Sequence, residues 1–206
     1  MNKKIKLVIF DLDGVLVDAC EWHRLSLNKA LKIISNYEIS EEEHKTTFNG
    51  IPTKVKLEKL VEMKRIDRED CEKIYNLKQE LTIETIEENA KHRSEKVQMI
   101  KALKESGIKV ACFTNSIRET ATLMLLKTGV LNQLDLLITN QDVKKPKPHP
   151  EGYNKIVEEY GLEPSSVIIV EDSPKGMQAA LASGCNVISV NNPEEVEFKI
   201  FEEYLK

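Results

Sequence analysis

The sequence predicts an α/β fold: a Rossmann-like parallel sheet with helices on both faces, plus a small all-α domain inserted after the first strand. Three features carry this. A pattern of helix, glycine and strand recurs through the second half, with Gly107, Gly129, Gly161 and Gly184 stopping helices ahead of strands at 108–113, 134–138, 167–170 and 186–190. An apolar, β-branched run at 7–10 reads as a strand buried on both faces, and it must join that sheet, because one strand alone cannot bury itself. From 19 to about 90 the apolar residues recur at helical spacing, with no convincing strand. The expected domains are a core of 1–18 and 91–206 and a helical cap of 19–90.

In order, Leu27, Leu31 and Ile34 set a helix from 19 to about 35, a stretch free of Gly and Pro. Ser40 and Glu43 form a capping-box pair for a second helix start. Asn49-Gly50-Ile51-Pro52 is a loop. Val55, Leu57, Leu60 and Val61 predict a helix over 53–64, and Ile74, Leu77 and Leu81 one over about 68–88. Ser94 opens a helix closed by Gly107, Pro150 one with Tyr153, Ile156, Val157 and Tyr160 on one face, and Pro174 the last. The helical block leaves from the end of the first strand. It should therefore lie like a lid over the carboxyl edge of the sheet, where open α/β sheets hold ligands.

At 206 residues the chain fits one domain, or one domain with an insertion. A net charge of −4 and a pI near 5.7 set up no global attraction for nucleic acid. No run approaches the ~20 apolar residues of a membrane span. The apolar stretch behind Lys3-Lys4 breaks at Asp11, short of a secretory core of roughly 7–15 residues. Cys20, Cys71, Cys112 and Cys185 are dispersed among apolar or helical neighbours and read as buried free thiols, which points to a reducing, cytoplasmic setting. His23, His44, His92 and His149 show no zinc-ligand spacing.

Four strand ends carry polar groups at one edge of the sheet: Asp11 and Asp13 with Gly14; Thr114-Asn115-Ser116; the loop Lys144-Lys145-Pro146-Lys147-Pro148; and Glu171-Asp172. Taken singly, each has a plain structural use, as a solvated turn, a helix N-cap, an exposed charge or a helix start. Together they suit a phosphoryl group with a divalent cation. Close carboxylates need compensation, a hydroxyl and backbone N–H groups hold phosphate oxygens, and a lysine offsets charge. An all-oxygen donor set favours Mg²⁺ over Zn²⁺.

These residues resemble the haloacid-dehalogenase superfamily over essentially the whole chain. The first motif is Asp11-Leu12-Asp13-Gly14, the second Thr114, the third Lys145 in Lys145-Pro146-Lys147-Pro148, and the fourth Glu171-Asp172. Within it the chain looks like the branch of β-phosphoglucomutase and phosphoglycolate phosphatase. The resemblance implies Asp11 as nucleophile and Asp13 as acid, then base. It implies Mg²⁺ on Asp11, the Asp13 carbonyl and Asp172, with Glu171 as ligand or supporting group. Thr114, the Asn115 amide and Lys145 would hold the phosphoryl oxygens. The loop at Gly50 would shape the substrate pocket. His23 is either a group beside the acid/base, as in related phosphomutases, or a plain surface histidine. The expected partner is a small phosphorylated metabolite, with no nucleic acid and no membrane.

Dehalogenation needs no leaving-group proton, so Asp13 argues for phosphoryl transfer. A phospho-acceptor receiver module also clusters acids, a hydroxyl and a lysine on a parallel sheet. Its acceptor Asp follows the third strand, where this chain has Thr139-Asn140 instead. The mutases that the chain resembles carry a Lys just before the cap-loop Gly and an Arg three residues after it. Here those positions are Asn49 and Thr53, both neutral, which favours a phosphatase, although Lys54 and Lys56 lie nearby and can substitute.

Overall fold

The computed structural model describes residues 4–48 and 50–205. The strands β1 (Leu7–Phe10), β2 (Lys109–Phe113), β3 (Leu136–Ile138), β4 (Val167–Glu171) and β5 (Asn186–Ser189) pair in parallel in the order β3-β2-β1-β4-β5. The first strand in sequence is the central one, and all four of its residues are buried. That is why it reads as an unbroken apolar run rather than an alternating one. β3 is an edge strand and starts later than expected, at Leu136; just before it the Asp135 amide donates to the Val110 carbonyl at 2.8 Å and its carboxylate accepts from the Val110 amide at 2.9 Å.

Between β1 and β2 the chain is helical. It runs through α1 (Cys20–Ser35), the single turn α2 (Glu41–Glu43), α3 (Thr53–Glu62) and α4 (Cys71–Asn89). Ser40 caps α2, its hydroxyl accepting from the Glu43 amide at 3.1 Å. The helix that starts there does not continue as an α-helix. The backbone widens into a π-helical turn, His44–Phe48, which buries both His44 and Phe48. Leu27, Leu31, Phe48, Leu57, Leu60, Ile74 and Leu81 share an apolar cluster of their own, while Ala19 and Ile86 pack with the sheet layer. On that separate cluster we propose that 19–90 is a cap domain.

The sheet is covered on both faces. One layer joins Val8, Phe10, Val110 and Cys112 to α5 (Ser94–Glu105) and α6 (Arg118–Lys127) through Met99, Ile100, Leu103, Met124 and Leu125. The other joins Leu7, Ile9, Ala111 and Phe113 to α7 (Glu151–Glu159) and α8 (Pro174–Ala182) through Tyr153, Ile156, Ala179 and Ala180. Adjacent strand residues thus serve opposite layers, as the two-residue period requires. All four cysteines are free, but only Cys112 is fully buried; Cys20, Cys71 and Cys185 keep partial exposure at helix starts or a strand entry. No described helix is long and apolar enough to cross a membrane.

Candidate active site

The parallel register brings the carboxyl ends of β1, β2 and β4 to one edge. Asp11 continues the ladder, its amide donating to the Val170 carbonyl at 3.0 Å, and the chain then reverses at Gly14 with φ +85°. A Cβ there would lie 2.1 Å from Asp172 Oδ2, so glycine is needed both for the turn and for the approach of β4's acidic end.

Asp11 is 6% exposed, and its Oδ1 accepts from the Leu12 amide (2.7 Å) and from Lys147 Nζ (2.9 Å). The same ammonium lies 2.6 Å from Glu171 Oε1 and 4.9 and 5.2 Å from the ring centroids of Phe113 and Tyr153. Lys147, and not Lys145, is therefore the lysine of the site. The amides of Lys144 and Lys145 donate to the Glu151 carboxylate and hold that stretch outside, with Lys145 exposed. Two residues on, the Lys147 backbone is clamped by the Asn115 side chain, at 3.0 Å through its amide and 3.1 Å through its carbonyl. Lys147 can be buried because two carboxylates and two aromatic faces surround it. Burial lowers its proton affinity, but Asp11 and Glu171 more than reverse this, and the group stays charged.

Glu171 is fully buried and already occupied. It accepts from Lys147, from the Tyr153 hydroxyl (2.6 Å) and from the Asp172 amide (3.2 Å). Asp172 differs, because its Oδ1 is buried without a hydrogen-bond partner among the described residues. Oxygens of Asp11, Glu171 and Asp172 lie within 4.8 Å of one another. Burial first, then repulsion by Glu171, raises Asp11 well above the usual carboxylate range and Asp172 to about 7. An unpartnered oxygen among crowded, all-oxygen donors fits a hard divalent cation, with Glu171 as support for the ligands rather than the freest of them. The Asp13 carboxylate lies outside this cluster.

Asp13 sits in a separate network. Its Oδ1 is 2.9 Å from His23 Nε2, and its Oδ2 accepts from Thr114 Oγ1 (3.1 Å) and Ser116 Oγ (2.9 Å). Burial pushes Asp13 up, but His23 and the two hydroxyls outweigh it and bring it down to about 2. Lys78 Nζ lies 3.2 Å from His23 Nδ1. An ammonium only donates, so Nδ1 accepts and Nε2 carries the hydrogen that points at Asp13. His23 is thus no surface histidine. Its own proton affinity is lowered, by burial and then by Lys78.

Gly50, with φ +72°, presents its carbonyl to Asn115 Nδ2 at 2.9 Å, which ties the cap loop to β2. Asn49 lies outside the described residues. A cavity of about 360 Å³ separates the two walls, with Asp11, Asp13, Thr114, Lys147 and Asp172 below and His23, His44, Thr53, Lys56 and Lys78 above. Sequence reasoning missed Lys78 and Tyr153 as parts of the site, placed Ser116 at the sheet edge without a role, and gave Lys56 only as a nearby substitute. Lys78 falls on the Ile74–Leu81 face of α4, and that position was its only signal.

A parallel sheet whose acidic carboxyl edge opens into a cavity is the arrangement of an α/β enzyme. The family model for haloacid dehalogenase-like hydrolases matches residues 8–190, and the chain belongs to that family. It is 27% identical to the pyrophosphatase PpaX of Bacillus velezensis, over 92% of this chain and 84% of that one. It is also 27% identical to a phosphoglycolate phosphatase of Haemophilus influenzae, over 92% and 87%. The fold superposes on the crystal structure of a β-phosphoglucomutase from Clostridium difficile with a TM-score of 0.83 at 20% identity, covering 98% and 97% of the two chains.

Proposed function

We propose that the protein is a cytoplasmic, Mg²⁺-dependent phosphatase that hydrolyses a small phosphomonoester through an aspartyl-phosphate. The observation that carries this reading is that one cavity holds two carboxylates in opposite environments. Asp11 is crowded by acids and pinned by a buried lysine, while Asp13 is held ionised by His23, Ser116 and Thr114. Groups tuned apart in this way divide the roles of nucleophile and proton carrier.

The carboxylates of Asp11 and Asp172 and the Asp13 carbonyl would hold Mg²⁺, which would supply positive charge to keep Asp11 ionised and to offset the phosphate. Lys147 adds a second positive charge beside Asp11. In the first step a bond forms from an Asp11 oxygen to phosphorus, the ester P–O bond breaks, and the leaving oxygen takes a proton from Asp13. A phosphate brought beside Asp13 raises its proton affinity by like-charge repulsion, so the carboxyl carries that proton only in the loaded site. In the second step water attacks phosphorus and passes a proton to Asp13, the bond between phosphorus and the Asp11 oxygen breaks to regenerate the carboxylate, and inorganic phosphate leaves. The names of the two relatives support hydrolysis of phosphate compounds.

A sugar phosphomutase is the second reading, because the roof of the cavity is not neutral. Lys56 is buried there, although Thr53 is uncharged. The two are separated by incubating the enzyme and Mg²⁺ with β-glucose 1-phosphate, with and without glucose 1,6-bisphosphate, beside a panel of other monoesters. Inorganic phosphate from several esters, lost in excess EDTA, supports the phosphatase. Glucose 6-phosphate formed faster than inorganic phosphate overturns it, and full activity in EDTA rejects the metal.

A further inference from the structure

One residue of the sheet edge touches both walls of the cavity. Asn115 stands between Thr114 and Ser116, whose hydroxyls both meet Asp13. Its own side chain serves other partners. Oδ1 accepts from the Lys147 amide at 3.0 Å, and Nδ2 donates to the Lys147 carbonyl at 3.1 Å and to the Gly50 carbonyl at 2.9 Å. A carboxamide nitrogen has two hydrogens, so both are used. The partners also settle which atom is which, because an amide N–H needs the oxygen and two carbonyls need the nitrogen. Asn140 Nδ2 holds the Asn115 carbonyl at 2.8 Å. Two facts make this carboxamide more than a local tie. Lys147 is 3% exposed, and among the described residues its backbone N–H and C=O have no hydrogen-bond partner but Asn115. Among the described residues, too, the Asn115–Gly50 bond is the only hydrogen bond between 50–53 and the sheet side. Gly50 is closely seated there: a Cβ on it would lie 3.3 Å from Ser173 Oγ, which caps α8.

The lysine that lies 2.9 Å from Asp11 is therefore seated by a side chain whose one remaining hydrogen goes to the loop at Gly50. We propose that Asn115 is a positioning residue that makes the seating of Lys147 beside Asp11 depend on the docking of the loop at Gly50. With the loop docked, three hydrogen bonds from two walls fix the plane of the carboxamide. With the loop away, one N–H faces water and the amide is free to turn, and the buried Lys147 peptide groups lose a partner that no other residue replaces. The charge of Asp11 is then fully offset only when the loop covers the site, so that phosphoryl transfer waits for a closed cavity. The coupling is reciprocal: an anion held beside Asp11 and Lys147 strengthens the docking of the loop. The proposal rests on the reading of Lys147 as the lysine that offsets charge at Asp11, and it asks nothing of the charges on the cap wall.

Asn115→Ala removes all three bonds. It should lower kcat for p-nitrophenyl phosphate roughly tenfold, the worth of one hydrogen bond, with KM changed far less. Gly50→Ala disturbs the same contact from the other side, through a φ of +72° and the close Ser173, without touching Lys147. It should lower kcat to a similar degree, and the double variant should be no slower than the slower single one. Hydrogen exchange reads the coupling without turnover. In the wild-type protein, Mg²⁺ with beryllium trifluoride, a mimic of a phosphoryl group on Asp11, should slow exchange of the Ile51 and Thr53 amides at least about fivefold. In Asn115→Ala that slowing should vanish. Asn115→Asp keeps the acceptor for the Lys147 amide but sets an oxygen against the Gly50 carbonyl, and it should lose the slowing too, which keeps the test open if the alanine variant fails to fold. A lowered melting temperature in Asn115→Ala, with kcat and the slowing as in wild type, makes Asn115 merely structural and overturns the proposal. Additive losses of kcat in the double variant overturn it as well, and leave the phosphatase reading standing. Hydrolysis of no ester by any variant, with exchange slowed by the mimic only where Asn115 is present, overturns the phosphatase reading and keeps the coupling.

Discussion

On the sheet side of the cavity, Lys147 is met by Asp11 at 2.9 Å and Glu171 at 2.6 Å, and Tyr153 adds a hydrogen bond to Glu171. On the cap side, Lys56 and Lys78 are as buried as many core residues, at 7% and 5% exposure, yet neither has a carboxylate partner among the described residues. Burial leaves both with proton affinities lowered to about 8, while Lys147 moves the opposite way. The same residue type is therefore structural cement on one wall and a charge without a carboxylate partner on the other. A wall whose charges are mutually compensated holds the geometry of the reacting groups.

The largest expected effect is on the compensated wall. Asp11→Asn should cut turnover roughly 10³-fold or more, as loss of a nucleophile does, without unfolding the protein. It removes one anion from a crowded cluster, so the melting temperature should hold or rise. Turnover within tenfold of wild type would sink the nucleophile assignment.

Lys147→Met should destabilise by about 3–5 kcal/mol, because it leaves Asp11 and Glu171 buried and unpaired. Chemical denaturation measures this. Lys145→Met, at an exposed position, should shift neither stability nor activity appreciably. Equal effects at the two lysines would mean that Lys147 is no more part of the site than Lys145.

Asp13→Asn should lower kcat by ~10²–10⁴-fold, the usual worth of a general acid–base group. Rapid-quench kinetics should show both formation and decay of the intermediate slowed. A loss under fivefold would remove Asp13 from the proton path.

The smallest effect belongs to the uncompensated wall and has the opposite sign. Lys56 and Lys78 titrate near 8 when folded against 10.5 in an unfolded chain, so unfolding takes up protons between those values. Stability should therefore increase as pH rises from about 8 to 10.5. Lys56→Met should stabilise the ligand-free protein at pH 7 by on the order of 1 kcal/mol and flatten that rise. Destabilisation by Lys56→Met would mean that the lysine has a structural partner after all.

The strand–helix alternation, the membership of Leu7–Phe10 in the sheet as a strand buried on both faces, and the position of Asp11, Asp13, Thr114, Glu171 and Asp172 at one sheet edge are legible in the chain alone; the central place of that first strand is not. The legible features follow from short-range periodicity and from the rule that parallel strands end on the same side. That the chain between Ala19 and Ala90 is helical is legible in the same way. The choice among Lys144, Lys145 and Lys147 was not legible. Three lysines spaced through prolines look alike locally, and the buried one is selected by carboxylates from β1 and β4, rings from β2 and α7, and the Asn115 clamp. Lys56 and Lys78 read as ordinary solvated helix charges, and only the folding of α3 and α4 over the sheet edge encloses them. His23 became a partner of Asp13 in the same way, ten residues along the chain but 2.9 Å away in space. Which residues can carry the chemistry is a property of the chain, whereas the state of their charges depends on burial and on neighbours far away in sequence, and only the tertiary structure supplies those.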